Sequence, residues 1–170
     1  INGLTFNRLM YFLGQPIKKG GMYPISHLRI WRTGFAYCEN RWMDERMILK
    51  SGSTLHINGD LIDYNLNDIG WWTNKHTHYA TRESIDFFNS IYKFYNYEVL
   101  SKNNGKDRRK MKSFYYNLPL LLRPFIFFVF RYFLQLGFIE GKRGFIWAFL
   151  QCFWYRMLIA FIVLTIFLIF

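Results

Sequence analysis

The end of the chain restricts its fold more than any other part. Between Gly144 and Phe170 the only charged residue is Arg156, and from Met157 to Phe170 the only polar one is Thr165. Counted back to Phe145, this apolar run is 26 residues long. A helix of that length crosses a ~30 Å hydrocarbon layer if Arg156 snorkels or is paired. A re-entrant or in-plane helix pair satisfies the same pattern. The block before it, residues 118–138, contains Pro119 and Pro124 and is charged only at Arg123 and Arg131. An Arg near the centre of a spanning helix costs about 2.5–3.5 kcal/mol, and Pro124 interrupts the hydrogen-bond ladder. A helix lying in the interface, with Arg123 and Arg131 both snorkelling, fits this block better than a span.

Charge follows the same division. The net charge is +11, of which residues 1–95 hold +3 and residues 96–170 hold +8. The most apolar part is therefore also the most basic. Residues 102–112 set Lys102, Lys106, Arg108, Arg109, Lys110 and Lys112 against Asp107. Each cation beside an anionic leaflet contributes about 1 kcal/mol. An anionic membrane surface is the expected partner, met by Lys106, Arg108, Arg109, Lys110, Lys112, Arg123 and Arg131. Aromatic residues make up 22% of the chain and gather towards its end, where large rings suit a membrane interface. A nucleic acid is the rival partner for a basic run, but no nucleic-acid motif accompanies it, and none is expected here.

The 170 residues suit about one domain. The basic stretch is a composition break, giving a first part over 1–100, a linker over 101–117 and an apolar helical tail over 118–170. Ile1 in place of Met suggests a fragment or a processed piece, and residues 1–20 lack the apolar core of a signal peptide. Cys38 and Cys152 fit no metal spacing, and a reducing setting is the simplest reading.

Local patterns predict a short helix over Thr5–Leu13, followed by a loop through Gly14, Pro16 and Lys18-Lys19. Residues 26–32 alternate as a strand. Residues 42–49 suit either a short helix or an extended segment. Asn58-Gly59, between two alternating runs, predicts a hairpin. From Thr77 onwards the pattern is helical, with Ile85, Phe88, Ile91 and Tyr92 at helical steps, so a helix runs to about Tyr95.

Three constellations carry candidate chemistry. Asp44-Glu45 follows Trp42-Met43 at the end of an apolar run, where carboxylates are costly without a partner or a task. The plain alternative is a solvated pair at a helix start. Lys75-His76-Thr77-His78-Tyr79 offers a cation, imidazoles and a phenol to a phosphate or an acceptor, or forms a structural turn. Two His at spacing two are not expected to form a chelate here. Arg29 and Arg32 fall on opposite faces of the predicted strand, so one of them reaches a substrate and the other the surface. The chain has no Gly-rich phosphate loop, no His-Glu-x-x-His, no Gly-x-Ser-x-Gly and no Asp-x-Asp.

Several of these motifs, in this order, resemble bacterial family 2 glycosyltransferases of the lipopolysaccharide, capsule and exopolysaccharide kind. They are Gly21-Met22-Tyr23-Pro24, Leu28-Arg29-Ile30-Trp31-Arg32, Trp42-Met43-Asp44-Glu45, Lys75-His76 with Tyr79-Ala80, Leu122-Arg123-Pro124, Leu136-Gly137-Phe138 and Trp154-Tyr155-Arg156. The resemblance implies an α/β fold: an incomplete GT-A domain, with acceptor-side strands and helices only, followed by a helical, membrane-associated tail. It implies inverting transfer from a nucleotide-sugar to a glycan or lipid-linked acceptor, at the cytoplasmic face of the bacterial inner membrane. Asp44 or Glu45 is then the general base, with Tyr23, Arg29, Arg32, Lys75, His76 and Tyr79 binding substrate. The full enzyme is expected to need Mn or Mg, whose acidic motif lies outside this chain, so this chain by itself is expected to be inactive. A small basic membrane protein without enzymatic activity is the other class open to this sequence.

Overall fold

A computed structural model describes residues 1–95, 115 and 117–169. Its first part is built on one long strand, β1 (Gly3–Phe12), which is paired along both edges. A two-residue turn, Leu13-Gly14, returns the chain into β2 (Gln15–Ile17). Both turn residues have positive φ, 50° and 78°, as a tight hairpin of the type matching strand twist requires. The helix expected over Thr5–Leu13 is therefore a strand. Thr5, Phe6, Tyr11 and Phe12 favour extended backbone, and partners on both edges satisfy it. The antiparallel strand β3 (Ser26–Trp31) lies beside β2 on one edge of β1, in agreement with the strand predicted over 26–32.

The other edge of β1 holds β6 (Thr54–Tyr64), which runs parallel to it. Asn58-Gly59 does not turn the chain. Thr5 faces His56 and Asn7 faces Asp60, so β6 advances four residues while β1 advances two. The Asn-Gly pair is absorbed as a bulge, because the length of β1 holds both halves of β6 in one ladder. Between β3 and β6, β4 (Ala36–Cys38) and β5 (Met47–Leu49) form a separate two-stranded ribbon. The stretch 42–49 thus ends in a strand, after an irregular loop over residues 39–46.

Helix α1 (Ile69–Tyr92) starts before Thr77, where the sequence pattern turns helical, and ends at Tyr92, just short of Tyr95. Asp68 caps it, its Oδ1 accepting the Trp71 N–H at 2.7 Å. Lys93, at φ 51°, closes it through a bond from its N–H to Asn89 O. In the tail, α2 (Arg123–Val129) has Pro124 in its first turn. There Pro starts a helix instead of breaking one, because no N–H is needed. Helix α2 widens into a π segment, Phe130–Leu134, and ends at Leu136 with φ 59°. A 3₁₀ turn (Gly137–Glu140), α3 (Gly141–Ala148), a π segment (Phe149–Trp154) and α4 (Tyr155–Ile169) follow one another. Together they make a helical run of 33 residues, long and apolar enough to cross a membrane. Gly144 is required inside it, since a Cβ there would lie 2.1 Å from Gly137 O.

The core of the helical part joins α1 to α4. Ala80 and Phe87 pack with Tyr155, Ile159 and Val163, flanked by Phe88, Leu158 and Ile162. The fold is therefore mixed α/β with an apolar helical end. Sheet and tail are also tied: the ring of Phe12 meets Trp147 edge-on at 5.1 Å, and Gly20 N–H donates to Gln135 O at 2.9 Å.

Candidate functional site

The loop between β4 and β5 carries Asp44 and Glu45. It is not the end of a buried run: Trp42 is 48% exposed, and both carboxylates reach solvent. The loop is drawn closed by Glu39 N–H donating to Arg46 O at 2.8 Å. Asp44 adopts φ 57°, a left-handed conformation in which Asp and Asn are enriched among non-glycine residues. Arg41, from the same loop, pairs with buried Asp86 of α1 at 3.7 Å. Asp44 also lies within electrostatic reach of Arg156 on α4.

Below this loop is a polar cluster inside an apolar helical body. Arg156 Nη1 is 3.4 Å from Glu83 Oε1, and Glu83 is only 3% exposed. The charge in the middle of the apolar run is therefore paired within the protein. Arg123 is buried beside it. Its Nε donates to Leu118 O at 2.7 Å, and its guanidinium stacks 4.9 Å from the ring centre of Phe87. A small cavity is lined by Glu83, Tyr115, Leu120, Arg123 and Arg156. Glu83 and Asp86 were not singled out from the sequence. Their signal is position: on α1 they are three residues apart, on the face that also presents Ala80 and Phe87.

The two arginines expected at lipid headgroups point inward. Besides Arg123, Arg131 donates to Gly20 O, lies 3.5 Å from Met22 Sδ and stacks over Phe127 at 5.1 Å. It fastens the tail to the loop after β2. The remaining predicted membrane contacts, Lys106, Arg108, Arg109, Lys110 and Lys112, lie outside the described residues.

Lys75, His76 and Tyr79 belong to α1, neither to a turn nor to a strand. Lys75 Nζ sits over the rings of Trp71 at 4.7 Å and Tyr79 at 5.6 Å. His76 is buried between elements. Its Nδ1 faces Trp72 O at 2.8 Å and must donate, so Nε2, 2.9 Å from Gln151 Nε2, accepts. The ring stacks on Trp72 at 3.6 Å. This is a neutral imidazole joining α1 to the π segment of the long run. Burial lowers its pKa from the usual value, with a smaller contribution from the Lys75 charge. A depressed histidine pKa stabilises the fold above the unfolded value of about 6.5. That contribution is lost as pH falls below it towards the folded pKa. An NMR titration should give His76 a midpoint below 6.5, with tertiary structure loosening only on the acid side. A midpoint at or above 6.5 would contradict the buried neutral ring.

Tyr23 is elsewhere. Its hydroxyl donates to Asp60 Oδ1 at 3.0 Å, and that hydrogen bond raises its pKa. Arg29 and Arg32 are exposed on and just after β3. The structure thus brings Lys75, His76 and Tyr79 together, and Asp44 near Arg156, while Tyr23 is engaged with the β6 bulge. Among the described residues no group of three or more His, Cys, Asp or Glu side chains converges on a metal-sized site. No protein-family model, curated protein or solved structure matches this chain.

Proposed function

We propose that this chain attaches to a membrane through residues 118–169 and supplies the acceptor side of an inverting glycosyltransferase that makes cell-surface polysaccharide. The observation that carries the membrane reading is the 33-residue run Gly137–Ile169. Its one mid-run charge, Arg156, is neutralised by Glu83 and needs no water. Its outer positions stay apolar, with Phe145, Phe149, Phe161 and Phe167 each more than two-fifths exposed. An apolar surface of this extent calls for a partner.

The transferase reading rests on the motif order from Tyr23-Pro24 to Tyr155-Arg156. The open loop, which leaves Asp44 exposed and within electrostatic reach of Arg156, supports it. In that reading Asp44 takes the proton from the acceptor hydroxyl as it attacks the anomeric carbon. The donor is a nucleotide-sugar, the acceptor a glycan or lipid-linked saccharide, and the location the cytoplasmic face of the inner membrane. Mn or Mg would be held by other residues of the enzyme.

A second reading, a small basic membrane protein without catalysis, is favoured by one observation. Lys75, His76 and Tyr23 already have partners inside the fold.

Membrane attachment is tested by fractionation. At 1 M salt, screening shortens to about 3 Å, which releases purely electrostatic binders. The protein should stay in the membrane pellet in high salt and be freed by detergent. Recovery in the soluble fraction after low-salt lysis would refute attachment.

A further inference from the structure

We infer that Lys18, Lys19 and Lys142 form one binding surface for the phosphate groups of anionic lipids, at the start of the long apolar run. Lys18 and Lys19 lie over a hundred residues from Lys142 in sequence, and the fold brings them to one place. The Oε1 atom of Glu140 accepts the backbone N–H groups of both Lys18 and Lys19, at 2.8 and 2.9 Å. The loop is further pinned by Gly20 N–H on Gln135 O and by the Arg131 guanidinium on Gly20 O. Two residues after Glu140 comes Lys142, and all three lysine residues are exposed.

The surroundings specify the ligand. On the helix, Lys142 falls in the same stripe as Phe145 and Phe149, which are 47% and 42% exposed. A lysine set in an exposed apolar stripe buries its stem along hydrocarbon and lifts its ammonium to the headgroup layer. Glu140, the one acid of the run, is occupied by two N–H groups and by Arg143 at 4.0 Å. It leaves the three ammonium groups uncancelled. A soluble anion would use the charges but not the phenylalanines. A lipid phosphate uses both.

The inference rests on the membrane reading, and vesicle flotation separates the two. The full chain, purified in detergent, is reconstituted with phosphatidylcholine vesicles, with or without added phosphatidylglycerol. Wild type should float with both and partition more strongly into the anionic vesicles. Replacing all three residues, Lys18→Gln, Lys19→Gln and Lys142→Gln, should weaken partition into anionic vesicles about a hundredfold, at roughly fivefold per cation. Partition into neutral vesicles should not change. The matching Lys→Arg triple should behave as wild type. Equal partition of wild type and the Gln triple into anionic vesicles would overturn the inference and leave attachment standing. Failure of wild type to float with either vesicle would overturn attachment itself.

Discussion

Asp44→Asn is expected to lower sugar transfer by the complete enzyme about 10²–10⁴-fold, the usual loss on removing a general base. Asn keeps the side-chain shape and tolerates the left-handed backbone at φ 57°, so the loop should hold its form. The variant removes the ability to take a proton together with the negative charge that faces Arg156. Glu45→Gln is the companion measurement. Glu45 is exposed, and in this reading it orients the acceptor. Its loss should therefore appear chiefly in KM. Initial rates in isolated membranes, across a range of acceptor concentrations, distinguish the two. If both variants turn over at near wild-type rates, the carboxylate pair is not catalytic and the non-enzymatic reading takes its place.

Removing Glu83 should be the most damaging single change to stability. Glu83→Gln leaves Arg156 buried without its counter-charge and with the Arg123 cation on the same small cavity. Breaking a buried ion pair from one side costs about 3–5 kcal/mol. Arg156→Met removes the partner that the Glu83 carboxylate holds at 3.4 Å. The double variant Glu83→Leu/Arg156→Met removes both charges and should recover most of the loss, since an apolar pair of similar volume is often no worse than the ion pair. Thermal unfolding in detergent compares the four proteins. Single variants that melt with wild type would mean that water reaches the pair and screens it.

The parts legible in the sequence were those with a period or a composition of their own. The strand at 26–31, the apolar end and a helix through Ile85 and Phe88 follow from side-chain spacing alone. The failures share a cause: a local signal was overruled by a partner distant in sequence. Residues 5–12 became a strand because β2, β3 and β6 all pair with it. Asn58-Gly59 became a bulge because β1 continues past it. Arg123 and Arg131 turned inward because Leu118 O and Gly20 O await them. The Glu83–Arg156 pair spans 73 positions, and no window along the chain shows it. The sequence did pose the matching question, since Arg156 in an apolar run needed a counter-charge from somewhere.

The π segment at Phe149–Trp154 gives the long helix a phase. Wider turns advance each residue through a smaller angle than the roughly 100° of an α-helix, so six of them lag by about one residue's rotation. A one-residue deletion there is easy for the backbone, which simply tightens to α. Five α residues turn through about the same angle as these six, so Arg156 would still face Glu83 and Lys142 would stay in place. This short stretch therefore tolerates a change in residue count that would misalign the two ends of a regular helix.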